Sequence, residues 1–480
     1  MMSLAGGKSR MAVCLLAVVF LSAGVASVCA PLLPQGDTFW HLKAGEWIID
    51  HRAVPKVDPF SWTAAGAPWH AHEWLWEALA ALSWQASGKW GLWALTAASL
   101  ALAGAFSFLF AARRSRSPAW ALACCTVALA AFAPFVSARP HVLAYGFLMM
   151  WLWLLDAARE RRWAAACLPL LAAAWANAHA SVLLGALAGA FLLAADALPG
   201  GRDTAVRQVA GLAAGALAAG LNPWGFGVWK FAFEVGAHPE MVNVIDEWLS
   251  PDFHSPFLLP VLALGGTVFL LPRGDRAARL LASGAFLAGL VSARHLAVFA
   301  LLWPAAAAPA LAARFGEPGK KSLFSGAAAV AAAGAIIAAF SLPPPWPGEK
   351  GQDMGFPVGA VAFMKERGLT ERVFNHYTWG GYLIWEGVKP FVDGRADMYV
   401  LSGSGVMEDY DRAAGILRPP DPDGVLERRG VETVLAPGDS WLAVYLASKE
   451  GWKEVYRDRT AAVFVRRPGL PPSENFLGGR

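Results

Sequence analysis

The chain has 480 residues, 56% hydrophobic and only 16% charged, with a net charge of +4 and a mean hydropathy of +0.42. A soluble protein is usually about 45–50% apolar and about 25% charged. This composition, with its repeated long apolar runs, therefore excludes an ordinary soluble protein and indicates a polytopic membrane protein. No stripe of Lys and Arg interleaved with aromatics points to nucleic acid.

In chain order, the first apolar run follows Lys8 and Arg10 and extends from Met11 to Pro34. Val28-Cys29-Ala30 is a poor lipoprotein cleavage site, because such a site wants a small residue before the cysteine. Met11 to Pro31 is therefore expected to remain as an uncleaved first span. The five cysteines, Cys14, Cys29, Cys124, Cys125 and Cys167, all fall in apolar runs and read as small core residues, without disulfides or zinc.

The stretch from Gly36 to Glu77 is crowded with aromatics: Trp40, Trp47, Phe60, Trp62, Trp69, Trp74 and Trp76. Acids and histidines sit among them. Such Trp-rich, amphipathic segments lie at a membrane–water interface. A helix from Asp37 to Asp50 puts Asp37, His41 and Gly45 on one face at i, i+4, i+8. Glu73 to Ser87 reads as a further interfacial helix. His70, His72 and Glu73 lack the His-Glu-x-x-His spacing and an obvious third ligand, so zinc is disfavoured.

A span needs about 20 apolar residues. Eleven candidates follow from the sequence: 11–31, 89–112, 118–137, 141–158, 163–178, 180–198, 204–221, 255–272, 277–293, 295–313 and 322–342. Only Asn177-Ala178-His179 separates the fifth from the sixth, which read as a tight hairpin or a re-entrant pair. With the N-terminus in the cytoplasm, alternate loops carry Arg113, Arg114 and Arg116; Arg159, Arg161 and Arg162; Arg202 and Arg207; Arg273, Arg276 and Arg279; and Arg314, Lys320 and Lys321. The opposite short loops carry only Arg139 and Arg294, which is a positive-inside pattern. The same assignment gathers Asp37, His41, Arg139, His141, Asn177, His179, Asn222, Glu247, Arg294 and His295 on the non-cytoplasmic face. Ionisable groups at membrane level are costly and usually functional or paired, so one shared outer site is expected; the plainer alternative is that span ends are simply polar.

Pro343-Pro344-Pro345-Trp346-Pro347-Gly348 reads as a stiff linker. Beyond it, helices at 358–367, 379–385, 408–416 and 441–449 alternate with strands at 372–376, 390–393, 433–436, 453–456 and 462–466. The expected organisation is a transmembrane domain over 1–342, with outer loops at 32–88 and 222–254, a linker over 343–350, and an extracytoplasmic α/β domain over 351–480. The fold class is mainly α: a membrane helix bundle with a C-terminal α/β domain.

Several strings carry a resemblance: Gly36-Asp37-Thr38-Phe39-Trp40-His41-Leu42, Val54-Pro55-Lys56-Val57-Asp58-Pro59-Phe60-Ser61, His72-Glu73-Trp74-Leu75, Leu221-Asn222-Pro223-Trp224-Gly225, Ser292-Ala293-Arg294-His295 and Phe391-Val392-Asp393-Gly394-Arg395-Ala396-Asp397. An acidic residue opening the first outer loop right after span one resembles the GT-C superfamily of integral-membrane glycosyltransferases. The strings together resemble a bacterial branch related to its protein-mannosyltransferase-like members, and cover most of the chain in order. Trp379-Gly380-Gly381-Tyr382 resembles the Trp-Trp-Asp-Tyr-Gly string of oligosaccharyltransferase catalytic subunits, but lacks its aspartate, so acceptor-sequon recognition is not carried over.

The resemblance implies an inverting transfer of sugar from a polyprenyl-phosphate donor to a lipid, glycan or protein acceptor, on the outer face of a bacterial inner membrane. Asp37 is then the candidate catalytic base; its alternative role is a helix N-cap. His41, one turn on, would orient it. Arg294 is the candidate for the donor phosphate, because its always-charged guanidinium offers a fork of donors; a snorkelling span-end arginine is the alternative. Arg139 and His141 are a second such pair, and His295 adjoins Arg294. Asn177 and His179 serve either the donor or the hairpin's freed backbone groups. Asp58 precedes proline and equally suits an Asp-Pro turn. Glu247 lies in the 222–254 loop, which could lid the site. No cofactor is demanded; a divalent cation, Mg or Mn, could be held by Asp37, Asp58 or Glu247. The competing readings are a non-catalytic scaffold, which Asp37 argues against, and a lipid or glycan transporter. A transporter would call for a midplane site and internal repeats.

Overall fold

The computed structural model describes residues 2–196, 201–256, 258–271, 274–340, 344–351, 353–416 and 418–467. It divides the chain into two compact units: Met1–Leu33 with His72–Pro344, and Pro34–Ala71 with Pro345–Arg480. Residues 34–71, placed in an outer loop of the membrane domain by linear order, thus group with the C-terminal residues.

The first unit is helical. Each of the eleven expected spans contains a helix: Met2–Val28, Lys89–Ser115, Pro118–Phe132, Pro140–Ala157, Arg162–Ala178, Val182–Ala195, Gly201–Ala218, Leu259–Leu270, Arg276–Val291, His295–Phe315 and Lys320–Phe340. Among the described residues, six helical segments are long and apolar enough to cross a membrane: Lys8–Val28, Lys89–Ser115, Pro118–Phe135, Pro140–Ala157, His295–Phe315 and Lys320–Ala339. The other five fall short of that measure. Val182–Ala195 and Leu259–Leu270 are apolar but short, and Gly201–Ala218 carries Arg202, Asp203 and Arg207 in its first turns. The last residues of the expected spans 180–198, 255–272 and 322–342 lie outside the described residues. The expected helix at 73–87 is present as Trp74–Ser87. The protein is a multi-pass membrane protein.

Packing explains the differing character of these helices. His295–Phe315 has 78% of its most apolar window buried inside the protein, against 17% for Lys320–Ala339. The first is a core helix and the second presents most of its surface outward. All five cysteines are free, and Cys14, Cys29, Cys124 and Cys125 are buried in the apolar core, as their setting in the sequence implied.

The arginine-rich end of this unit is more than a topology signal. Arg114, almost wholly buried, pairs with Asp156 at 2.9 Å, Asp196 at 2.7 Å and Asp275 at 3.1 Å. Arg113 bonds Asp156 as well, at 2.9 Å. Asp275 also caps its helix by accepting from the Ala278 amide. One guanidinium thereby ties the ends of four helices.

The second unit is built on a four-stranded sheet of order β1-β2-β4-β3, where β1 is Val373–Asn375, β2 Thr433–Pro437, β3 Trp452–Arg457 and β4 Ala461–Arg466. β1 and β2 are parallel, with Phe374 opposite Val434; the other pairs are antiparallel. Thr433 to Ala436 of β2 are all buried, which fits an apolar central strand. The expected helices are found at Val358–Arg367, Gly380–Trp385, Val406–Ala414 and Trp441–Ala447, and two further helices occur at Ala396–Leu401 and Pro422–Arg428.

The expected strand at 390–393 does not form. The Asn375 side chain takes the place of a ladder there: its Oδ1 accepts from the Phe391 amide at 2.8 Å and its Nδ2 donates to the Val392 carbonyl at 2.9 Å. From the other end of the sequence, Thr63 Oγ1 donates to the Phe391 carbonyl and Trp62 Nε1 to the Val373 carbonyl. Side chains satisfy this backbone, so no partner strand is required.

Residues 34–71 supply a helix, Gly36–His51, and an irregular loop. Phe39 is fully buried, with edge contacts to Trp346, Phe356 and Tyr382 at centroid distances of 5.0, 5.0 and 5.4 Å. Trp40 and Trp69 are also buried. The aromatics read as an interfacial belt thus include core residues of the second unit, and Trp346 of the Pro-rich stretch packs with them.

Candidate active site

The candidate residues fall into both units. In the first, Arg139, His141, Glu247, Arg294, His179 and Asn177 sit at helix ends and in the long loop. Arg139 precedes helix Pro140–Ala157 and makes a close ion pair with Glu247. Burial pushes the Glu247 carboxyl up, but Arg139, His141 and Arg294 outweigh it and hold it at about 2. Glu247 therefore stays ionised and is already committed to an arginine.

The same loop braces Arg294 at its next residue. The Arg294 guanidinium lies 4.2 Å from the centroid of the Trp248 ring. The Arg294 amide donates to the Glu247 carbonyl at 3.2 Å and the Ala293 amide to the Leu249 carbonyl at 2.9 Å. This cation–π contact restrains the guanidinium, whose N–H fork is the part suited to a phosphate. Among the described residues, that fork makes no ion pair. Arg139 is neutralised; Arg294 is not. His295 begins the following helix and its Nδ1 lies 3.4 Å from the Ser292 carbonyl, at the long limit of a hydrogen bond.

Asn177 and His179 close the turn between Arg162–Ala178 and Val182–Ala195. Asn177 donates to the Ala173 and Leu221 carbonyls, both at 2.8 Å, and accepts from Trp74 Nε1 at 2.9 Å. It is fully used in joining three segments, which is the hairpin role. His179 Nδ1 accepts from the Ser181 amide at 3.0 Å. Burial lowers the imidazole to about 3, so it is neutral at physiological pH and carries its proton on Nε2. That nitrogen faces Glu73 Oε1 at 3.3 Å. His72 Nε2 lies 3.5 Å from the same oxygen. In this arrangement His179 Nε2 is a hydrogen-bond donor and offers no lone pair to a metal. His141 Nε2 is 3.2 Å from Ser137 Oγ. Asn222 is spent on its own turn, accepting from the Trp224 amide and donating to the Ala219 and Gly225 carbonyls.

In the second unit, Asp37 stands in the first turn of helix Gly36–His51, and Gln35 is the N-cap. Its Oδ1 accepts from Trp40 Nε1 at 3.0 Å. An anion in a first helical turn is favoured by the macrodipole. His41 follows one turn on, buried, with its ring 3.6 Å from that of Trp40.

Asp58 has a different fate from the one its sequence suggested for donor binding. It is fully buried, and its Oδ1 accepts from Arg395 Nη1 at 2.7 Å. It also accepts from the Phe60 and Ser61 amides, which is the Asp-Pro turn. Arg395 is clamped on its other side by Asp393, at 2.8 Å through Nε and 2.6 Å through Nη2, and Tyr399 Oη donates to the same carboxylate at 2.7 Å. Burial works against the Arg395 charge, but Asp393 and Asp58 hold its pKa well above the ordinary value. Of the three acids considered for a divalent cation, Asp58 and Glu247 are thus each paired with an arginine, which a cation would have to displace.

The sequence reading missed Trp248 as the platform for Arg294, Glu73 as the partner of His179, and Trp40 and Gly394 beside Asp37. Glu73, Trp40 and Gly394 lay in strings already singled out and Trp248 in the 222–254 loop, but adjacency in sequence did not reveal the pairing.

No family model matches the sequence, and no curated protein matches it. Among solved structures, the chain is similar to the archaeal oligosaccharyltransferase AglB of Archaeoglobus fulgidus in complex with an inhibitory peptide and a dolichol-phosphate. The identity is 12% and the TM-score 0.58, over 95% of this chain and 74% of that one. It is also similar to ArnT of Cupriavidus metallidurans bound to undecaprenyl phosphate, at 13% identity and a TM-score of 0.55, over 94% of this chain and 97% of that one. A third similar structure is the Archaeoglobus fulgidus oligosaccharyltransferase in complex with Zn and sulfate, at 13% identity and a TM-score of 0.50, over 87% of this chain and 68% of that one. At these identities the likeness establishes a shared fold.

Proposed function

We propose that this chain, which has the GT-C fold of integral-membrane glycosyltransferases, moves a sugar from a polyprenyl-phosphate-linked donor to a lipid, glycan or protein acceptor with inversion at the anomeric carbon. The observation that carries the reading is Arg294: a guanidinium held over the Trp248 ring, with its fork in no ion pair among the described residues, beside an Arg139–Glu247 pair that is already neutral. Such a fork suits a phosphate. The similar proteins captured with dolichol-phosphate and undecaprenyl phosphate support a donor of that class.

In this mechanism Asp37 accepts the acceptor's proton as the acceptor atom bonds to the anomeric carbon. The bond from that carbon to the phosphate oxygen breaks, and its electron pair leaves with the phosphate. Arg294 stabilises the charge that develops there. The reaction is placed on the outer face of the inner membrane, with the N-terminus cytoplasmic and residues 351–480 outside, on the strength of the positive-inside pattern. Purified protein in lipid nanodiscs is expected to bind a radiolabelled polyprenyl-phosphate sugar, and Arg294→Ala to weaken that binding about 10- to 100-fold. Mass spectrometry of outer glycans and glycoproteins in a deletion strain would identify the acceptor. Wild-type protein that binds no member of the donor class would defeat the reading.

A further inference from the structure

We infer that Asp393-Gly394-Arg395 is a positioning element for Asp37, a role that rests on the reading of Asp37 as the base. Gly394 has no side chain because Asp37 occupies its place: a Cβ on Gly394 would fall on Asp37 Oδ1 and lie 2.9 Å from Trp40 Nε1. Trp40 Nε1 donates to the same Oδ1 at 3.0 Å. The carboxylate is thus held between an indole N–H and a bare stretch of backbone.

That backbone is itself anchored. Asp393 and Arg395, the residues on either side of Gly394, are fully buried. They are joined to each other, to Asp58 and to Tyr399. The Arg395 guanidinium also lies over the rings of Trp69 at 4.8 Å and Phe60 at 5.2 Å. Gly381, in helix Gly380–Trp385, holds the same helix end from another side: a Cβ there would fall on the Gly36 carbonyl oxygen. The start of helix Gly36–His51 is therefore seated on two glycine surfaces. An added methyl at 394 falls on the Asp37 side chain, while the flanking residues are held by buried ion pairs.

The role is positional: Gly394 acts through Asp37, and Trp40 fixes which way Oδ1 points. Misplacing a reacting group by about 1 Å can cost about 10²-fold in rate. A hydrogen bond to the charged form of an acid favours that form. Removing the Trp40 donor should therefore move the acid limb of the kcat profile to higher pH.

The test uses full-length protein in nanodiscs with a polyprenyl-phosphate sugar, comparing Gly394→Ala, Trp40→Phe and Asp37→Asn. Gly394→Ala is expected to lower kcat about 10- to 100-fold with donor Kd unchanged. Trp40→Phe keeps an aromatic ring and is expected to move the acid limb to higher pH. A purely structural role would instead lower the melting temperature and donor binding together, and leave the limb in place. If Asp37→Asn is inactive while Trp40→Phe keeps the wild-type limb and kcat, and any folded Gly394→Ala does too, the positioning role is wrong and the base stands. If Asp37→Asn turns over normally, the base reading fails first.

Discussion

Arg395 Nη1 donates to Asp58 Oδ1 over 2.7 Å, although 337 positions separate the two residues in the chain. Both side chains are fully buried. This bond closes the second unit, binding the segment that follows the first membrane helix to the C-terminal residues. Removing one partner of a buried pair leaves an uncompensated charge, at a cost of about 3–5 kcal/mol. Asp58→Ala is therefore expected to destabilise the second unit strongly, seen as a large drop in the temperature at which its tertiary fluorescence signal is lost. A shift of only a degree or two would show the pair to be dispensable.

Arg294→Lys keeps the charge but loses both the planar fork and the fit to the Trp248 ring. A charge-assisted hydrogen bond is worth about 1.5–3 kcal/mol, so Arg294→Ala should weaken donor affinity by about 10- to 100-fold, with Arg294→Lys in between. Trp248→Ala should weaken it less, since a cation–π contact is worth about 0.5–2 kcal/mol. Donor binding measured on the three variants checks the order. Wild-type affinity in Arg294→Ala would reduce this residue to a span-end anchor.

Glu247 gives the long loop an acid sensitivity. Its carboxyl is held at about 2 by Arg139, His141 and Arg294 against the opposing effect of burial, below an ordinary glutamate near 4.3. A depressed folded value contributes stability that is complete above the ordinary value and lost as pH falls toward the folded one. Amides at 246–249 should keep their hydrogen-exchange protection above about pH 4.3 and lose it progressively toward pH 2. In Glu247→Gln they should be less protected throughout, without that pH dependence. Equal behaviour of the two proteins would mean that the ion pair does not hold the loop.

Asp37→Asn preserves size but cannot take a proton at neutral pH. General-base assistance is worth about 10²–10⁴ in rate, so this variant should insert, fold and bind donor normally while losing most turnover. Because Gln35 and not Asp37 is the N-cap, a loss of activity here cannot be assigned to a lost cap. Near-normal transfer by purified Asp37→Asn would remove the base.

Topology is tested separately. A reporter active only outside the cytoplasm should be active when fused after Arg480 and silent when fused after Arg116. The reverse pattern would dissolve the grouping of polar residues on one outer face.

The sequence by itself determined the membrane class, a helix within each of the eleven apolar runs and most elements of the C-terminal sheet. These are local properties: apolar run length fixes a helix in lipid, and alternation with turn residues fixes short strands. It also pointed to the strings from which both candidate sites are built. What it could not decide was partnership. Asp58 looked like a free acid until Arg395 neutralised it, and Glu247 until Arg139 did; the arginines at 113 and 114 looked like topology markers until three aspartates met them. A charge's role depends on what lies within a few ångströms of it, because Coulombic attraction and desolvation both act over that range. Residues hundreds of positions apart reach that distance only in the folded chain. The empty side-chain position at Gly394 is the same case: the sequence shows a glycine, and only the tertiary structure shows that the space it leaves is filled by Asp37.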